Sequence, residues 1–470
     1  MRYNLPQSRD LDAALREAPV SQEKPMPLYA GVSETNITPP LGVWMAGYAF
    51  RPTGCTLVHD ELHARAVVFN DGHAAVAILA MDLIALPQDL VAQIREGIAR
   101  EVGIPREAVM LNCSHTHGGP NLGVYNAMGS RDPAYVDVLV RKLVGMTRQA
   151  AETMKPAVLT YGRAPVQIGI NRRQTIGTNG RTVLGQNYAG PVAPYVDVLS
   201  VAEPSGGTFA LLFCHACHGT TLGGDNLRIT ADFCGYAADH VRRETEGGMT
   251  PLFLQGCSGN INPFRRGTYI SAAHNGRVLG QAALNAWRNA SPLYDDEVLA
   301  YAESVVELPL QDPPSVEQCD ASIAEWEAKL QQEKAGGNMG AILNAEGMLA
   351  YHRYEREQAR KGGGLKAPFP IQVLTIGGAK FIGLPAETFV QYALDFDVQI
   401  DQPVFPLGCT NGALNYLPTA ADFALGGYEV EYAHKYYNSL MYTPECEKLV
   451  RAKVYEMIGA ENPDWTPYSV

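Results

Sequence analysis

The chain has no apolar run long enough to cross a bilayer, which excludes a membrane-spanning helix as its organising feature. It also has no excess of positive charge: 37 Lys and Arg stand against 49 Asp and Glu, a formal net charge of -12. Nucleic acid and anionic membrane surfaces would repel such a chain at long range, so neither nucleic acid nor a stable membrane association is expected. The opening segment, Met1-Arg2-Tyr3-Asn4-Leu5-Pro6 and beyond, is polar and lacks the apolar stretch and small-residue cleavage site of a secretory signal, so a cytoplasmic location is the expectation. The nine cysteines are odd in number and scattered, which fits reduced thiols and not a disulfide framework. Internal repeats and low-complexity tracts are absent as well.

With 470 residues, 46% of them hydrophobic and 18% charged, the chain can bury one large core or two ordinary ones. The absence of a repeat makes one large domain over 28–470 the simplest description, preceded by an arm over 1–27. The fold class expected is α/β, with mixed sheets flanked by helices. Short β-like runs at Ala64–Phe69 and Ala74–Ala80 flank Asn70-Asp71-Gly72, a hairpin signal. Leu86 to Val102 reads as an amphipathic helix ended by Ile104-Pro105, residues 134–156 as another helix, and 156–214 as β-rich sequence. Residues 316–361 are strongly helical and charged, interrupted by Gly336-Gly337 and closed by Gly362-Gly363-Gly364; they predict a helical hairpin on the surface. Strand-like sequence resumes at Ile371–Ile376.

The chemistry concentrates in a few short runs. Ser114-His115-Thr116-His117-Gly118-Gly119-Pro120 follows the apolar stretch Ala108–Leu111 and reads as a buried strand opening into a Gly/Pro turn. Alternation along an extended segment would send His115 and His117 to one side, an arrangement suited to a metal or acid/base site; the bland alternative is a solvated turn. A second run, Cys214-His215-Ala216-Cys217-His218-Gly219-Thr220-Thr221, contains the Cys-x-x-Cys-His pattern of c-type haem attachment. A four-cysteine zinc site would need a second close pair that the chain does not supply, so buried inert thiols beside a useful histidine is the preferred reading. The third run, Gln255-Gly256-Cys257-Ser258-Gly259-Asn260-Ile261-Asn262-Pro263, is rich in small residues, as where backbone approaches something closely. Glu387 lies in Gly383-Leu384-Pro385-Ala386-Glu387-Thr388-Phe389, after a strand-like run. Tyr416 and Tyr428 follow twelve residues apart.

In order, these segments resemble the neutral/alkaline ceramidase family, zinc-dependent N-acylsphingosine amidohydrolases and their bacterial relatives. The resemblance begins at Asn36-Ile37-Thr38-Pro39-Pro40-Leu41-Gly42 and Met45-Ala46-Gly47-Tyr48. It continues through His59-Asp60-Glu61-Leu62-His63-Ala64-Arg65-Ala66, the His-Thr-His turn, Ile170-Asn171-Arg172, His218-Gly219-Thr220-Thr221, Gln255–Pro263, Pro385-Ala386-Glu387-Thr388 and the paired tyrosines, covering most of 28–455. It implies a catalytic domain of the ceramidase type, a bacterial-type homologue rather than a true ceramidase. It further implies one Zn2+ per chain held by His115, His218, Glu387 and Tyr416, with His117, Arg172 and Tyr428 around the scissile bond. The residue types agree: two imidazoles and a carboxylate leave zinc with net positive charge, His117 can move a proton, and Arg172 and Tyr428 can donate to an oxyanion. Tyr416 is expected to be the weaker, adjustable ligand. Asp60 and Arg65 read as structural partners near the site, and Asp232 as the carboxylate that orients His218, since ligating imidazoles donate their second N–H to such a group.

Two departures bear on mechanism. Where the family has a serine treated as catalytic, within Gly-Asp-Val-Ser-Pro-Asn, this chain has Asn262 in Gly259-Asn260-Ile261-Asn262-Pro263. Asparagine is no nucleophile, so the expected reaction is cleavage of a linear N-acyl amide by metal-activated water, with Asn262 at most a hydrogen-bonding group and Ser258 out of register. The immunoglobulin-like C-terminal domain of full ceramidases is not expected here, and a smaller or more soluble amide than ceramide is the expected substrate. An esterase or carbamate hydrolase with the same site, an acyl-transfer or cyclising enzyme, and a haem or metal-binding protein without hydrolytic function are the alternatives. The expected partner is a small-molecule amide, and homo-oligomerisation is left open.

Overall fold

In the computed structural model, which describes residues 28–177, 180–293 and 299–461, three mixed sheets each contain one parallel strand pair. The first sheet runs in the order Val109–Cys113, Ala75–Met81, His63–Asn70, Tyr29–Asn36, Lys155–Pro156. Only its first two strands are parallel, and helix Gln88–Val102 makes the crossover between them. The second sheet runs Thr250–Gln255, Thr208–His215, Tyr195–Ala202, Val158–Pro165, Ser291–Pro292; its parallel pair is the first, joined through helix Asp232–Glu244. The third runs Leu299–Pro309, Lys366–Ile376, Ala379–Gly383, Val404–Leu407, and here the last two strands are parallel, joined through helix Val390–Gln399. A parallel pair cannot close with a tight turn, so each sheet is forced into a β-α-β crossover. The parallel strands read as near-continuous apolar runs because both faces are covered: Val76–Met81, Val109–Leu111, Phe209–Phe213 and Leu252–Leu254 are all buried.

The carboxyl ends of these strands converge. Isolated bridges pair Asn112 with Thr410, Gly256 with Leu407 and Thr116 with Gly219, joining the three sheets where the parallel strands stop. Asn112, fully buried, is the knot. Its Nδ2 donates to Gln255 O (3.3 Å), Gly408 O (3.0 Å) and Thr410 Oγ1 (2.9 Å), and its Oδ1 accepts from Gln255 N–H (2.8 Å). One side chain from the first sheet thus satisfies backbone groups of the other two. In open α/β sheets ligands bind at carboxyl ends of strands, and here three such ends face one place.

The expected α/β class and the local elements are present with shifted boundaries. The turn at 70–72 joins antiparallel strands with Asn70 opposite Ala75, and Asp71 Oδ1 accepts from the N–H groups of His73 and Ala74. The helix expected from Leu86 starts at Gln88 and ends at Gly103, whose φ of 82° closes the last turn before Ile104-Pro105 is reached. The next helix is Pro133–Glu152, capped by the Asp132 carboxylate on Tyr135 N–H. The helical hairpin is Val316–Gly336 and Met339–Lys361, opened by a Ser315/Gln318 capping box. The arm over 1–27 lies outside the described residues. Among the described residues no helix is long and apolar enough to cross a membrane.

Candidate active site

The strand carrying the first motif ends at Cys113, and the chain then turns sharply: His115 has φ 57°, a left-handed conformation unusual for a residue with a Cβ. The two histidines therefore do not meet by strand alternation, as the sequence suggested. They converge because the turn lies beside the second motif, bridged from Thr116 to Gly219, and because His115 N–H bonds Leu83 O while His117 N–H bonds Gly219 O. His115 and His117 Nε2 are 3.4 Å apart, and the His115 and His218 rings meet edge to face at 4.6 Å. Glu387 and Tyr416 arrive together from the third region, as directly paired residues on the parallel strands Glu387–Thr388 and Tyr416–Leu417.

The second nitrogens of two of these rings are spoken for. His115 Nδ1 bonds Ile84 O (2.8 Å) and His218 Nδ1 bonds Ser258 O (2.6 Å). Backbone carbonyls only accept, so each Nδ1 carries a proton and each Nε2 is left to point at the centre. There both Nε2 atoms face the same carboxylate oxygen, Glu387 Oε2, at 3.3 Å from His115 and 2.9 Å from His218. Two imidazole nitrogens facing one carboxylate oxygen call for a cation among them, which a proton or a metal ion can supply; burial pulls His115 down, but Cys409 and Glu387 outweigh it and hold that ring well above its ordinary value, while Arg172 lies 3.3 Å from His218 Nε2. The ring nitrogens of His115, His117 and His218 lie within 4.8 Å of one another, a group able to hold a metal ion.

Electrostatics around the centre follow from burial and these contacts. Burial pushes the Glu387 carboxyl up, but His115 and His218 outweigh it and hold it well below the usual carboxylate range. Burial and the nearby Arg172 pull His218 down to about 4, and burial with the neighbouring imidazoles pulls His117 well below its ordinary value. Both rings are neutral at physiological pH. Burial keeps the Tyr416 phenol protonated.

Arg172 reaches the same centre from strand Gly169–Ile176: its guanidinium donates to the Tyr416 hydroxyl (3.0 Å), to Asn262 Oδ1 (3.3 Å) and to Glu429 Oε1 (2.8 Å). Asn262 also accepts from Thr220 Oγ1 at 3.2 Å, the hydrogen-bonding part expected of it. Tyr428 stands next to Tyr416, ring centroids 6.0 Å apart. His115, His117, Arg172, His218, Glu387, Tyr416 and Tyr428 are thus all brought to one place.

Asp232 is not the partner of His218. Its carboxylate accepts from Leu222 N–H and Phe233 N–H at the head of its own helix, and Ser258 O does the orienting instead. Ser258 Oγ is engaged by Gln255 Nε2 at 2.6 Å. Asp60 is structural, accepting from Thr230 Oγ1 and Ala231 N–H, and Thr230 in turn bonds Gly118 O and Thr116 Oγ1 beneath the histidine turn. Arg65 pairs with Glu34 and Asp82. Cys214 and Cys217 are free thiols embedded in the apolar core, which leaves no face for a covalently attached porphyrin.

Several participants escaped the sequence reading. Tyr437 donates a short hydrogen bond to Glu387 Oε1, with Tyr125 at 3.4 Å on the same atom. Cys409 Sγ lies 3.3 Å from His115 Nδ1. Glu429 bridges Arg172 and Arg173. The tyrosine density of 428–437 and the acid directly after Tyr428 were the available signals; nothing marked Cys409.

The sequence model of the neutral/alkaline non-lysosomal ceramidase N-terminal region matches residues 29–276. A curated neutral ceramidase of Mycobacterium tuberculosis (strain ATCC 25618 / H37Rv) is 24% identical over 240 residues, 47% of this chain and 37% of that protein. The match therefore spans little more than a third of the relative's length. The crystal structure of neutral ceramidase from Pseudomonas aeruginosa aligns with a TM-score of 0.68 at 18% identity, covering 95% of this chain and 76% of that one. A ceramidase complexed with C2 aligns with a TM-score of 0.69 at 18% identity, covering 95% and 77%. These likenesses establish the fold over nearly the whole chain. His115, His117, Arg172 and His218 fall inside the matched sequence segment; Glu387, Tyr416 and Tyr428 lie beyond it.

Proposed function

The chain belongs to the neutral/alkaline non-lysosomal ceramidase family, and from that premise we propose that it is a zinc-dependent hydrolase cleaving the amide bond of a linear N-acyl amide. The observation that carries this reading is the pair of imidazoles, each fixed through Nδ1 to a backbone carbonyl, whose Nε2 atoms face one Glu387 oxygen. His115, His218, Glu387 and Tyr416 would hold the ion, a nitrogen and oxygen donor set suited to zinc. Bound there, zinc supplies a Lewis acid that polarises a carbonyl and acidifies water.

The remaining work falls to the chain's own groups. His117 is neutral and its Nε2 faces the centre, so it takes the proton of the attacking water and returns it to the departing nitrogen. Arg172, held from behind by Glu429, and Tyr428 supply donors for the oxyanion. Asn262 positions Arg172 and Thr220 and takes no covalent part.

The test pairs elemental analysis of wild type and His218→Ala with hydrolysis of a panel of N-acyl amides before and after chelation. About one zinc per chain in wild type, lost in the variant, with cleavage abolished by chelator, is the expected result. Stoichiometric metal in His218→Ala, or cleavage indifferent to chelation, would refute the assignment.

A further inference from the structure

Two arginines stand around Tyr48, the ring beside His117, with no carboxylate in salt-bridge reach among the described residues. Arg51 is 4% exposed, and its guanidinium donates to Ala46 O (2.6 Å) and to His117 O (2.8 Å). Its Nε is buried without a partner, and no carboxylate lies within 4.0 Å of it among the described residues. Asp225, further away, is the one acid that acts on it. The Arg51 guanidinium sits 5.2 Å from the Tyr48 ring centroid, and Tyr48 in turn lies 4.9 Å from the His117 ring. On the outer side of Tyr48 is Arg266, which is exposed and reaches the Tyr48 phenol. Arg266 is anchored by Nε to Thr220 O (2.9 Å), and Thr220 is itself bonded to Asn262 of the centre.

Arg172 is equally deep but is matched: it shares Glu429 with Arg173, and Arg173 has Asp422 as a second carboxylate. Arg51 and Arg266 have no carboxylate within 4.0 Å among the described residues, in a chain whose formal net charge is -12. Burying a charge without a counter-ion is costly and is normally avoided. A buried arginine bonded to the His117 carbonyl and an exposed one beside Tyr48, the ring next to His117, supply a local positive potential at this edge of the centre. If His117 returns its proton to the leaving nitrogen, the amine half of the substrate lies on that side.

We infer that the substrate's amine half carries an anionic group, a carboxylate as in an N-acyl amino acid, which Arg266 binds directly with Arg51 reinforcing it from beneath Tyr48. This rests on the amide-hydrolase reading above and narrows its substrate class. It separates this chain's substrate from neutral N-acyl amino alcohols, for which a guanidinium at this position offers no ionic partner.

The experiment compares N-octanoylglycine with N-octanoylethanolamine, which share the acyl chain and amide and differ in the carboxylate. The zinc-loaded wild-type protein is expected to favour the glycine conjugate in kcat/KM by about tenfold or more, the scale of one charge-assisted hydrogen bond. The preference should shrink with added salt, collapse in Arg266→Gln, and survive in good part in Arg266→Lys, which keeps the charge. Equal rates, preference for the ethanolamide, or an undiminished preference in Arg266→Gln would overturn the inference. Should neither amide be cleaved, the hydrolase reading fails, and calorimetric binding of the two compounds decides this one. Tighter binding of the glycine conjugate, weakened in Arg266→Gln, sustains the anion site; equal or absent binding removes it.

Discussion

Replacing Asn112 by alanine tests whether one buried side chain holds the three sheets in register at the site. Its amide makes four hydrogen bonds, three donated to Gln255 O, Gly408 O and Thr410 Oγ1 and one accepted from Gln255 N–H. Alanine removes all four, but the consequences differ by partner. Gly408 O keeps a bond from Thr410 Oγ1, whereas the Gln255 N–H loses its acceptor inside a fully buried junction. Leaving that donor unsatisfied costs about 1–3 kcal/mol, and each lost bond with a re-satisfiable partner about 1 kcal/mol. The sum is about 4–6 kcal/mol, large for one surface-remote polar residue. Equilibrium urea unfolding followed by tryptophan fluorescence and by far-ultraviolet circular dichroism reads this as a lower midpoint with an unchanged slope. Because the strand bearing Asn112 leads into His115 and its bridge partner Thr410 follows Cys409, metal affinity should fall in the folded variant as well. A loss below about 1 kcal/mol, with metal affinity intact, would mean that the sheets are held by their apolar contacts alone and that the knot is incidental.

Tyr437→Phe removes the hydroxyl that fixes Glu387 while keeping the ring; metal affinity measured by competition with a chromophoric chelator should fall about 10–100-fold, and unchanged affinity would deny Tyr437 an orienting part. Glu429→Gln leaves Arg172 and Arg173 without their shared counter-ion. Its kcat on an N-acyl amide should drop at least tenfold, with a smaller change in KM, if Arg172 acts on the transition state. Asp60 is pushed up to about 6 by burial against an ordinary value of 3.8, so the fold binds its proton more tightly than the unfolded chain does. Its contribution thus favours folding as the pH falls from above 6 towards 4 and is lost as the pH rises through 6. Asp60→Asn should flatten that part of the stability profile relative to wild type, a comparison of urea midpoints at the two ends of the range.

The histidines were legible because each sits in a short motif beside glycine, and because an imidazole after a buried strand has few structural reasons to be there. That Glu387 and Tyr416 come beside the histidines was legible only through the ordered resemblance, since nothing local distinguishes such a residue from a cap or a core tyrosine. Asp232 shows where residue-level reasoning fails in physical terms. The second ring nitrogen of His218 does have a partner, but it is the Ser258 carbonyl, and any residue type could supply a carbonyl. The convergence of three crossovers was hidden for a related reason. Each parallel pair is announced by its own apolar runs, whereas the register between sheets depends on single bridges such as Asn112 to Thr410, between residues far apart in the chain. A polar residue inside the apolar run Val109–Cys113 was the visible trace of that junction, and its position just before the His-Thr-His turn gives it meaning. A side chain that must satisfy backbone groups from two other sheets can be placed only when all three arrive together. The same condition assembles His115, His218 and Glu387, so the stability of the junction and the affinity of the centre for a cation should rise and fall together across substitutions at Asn112, Thr410 and Gln255.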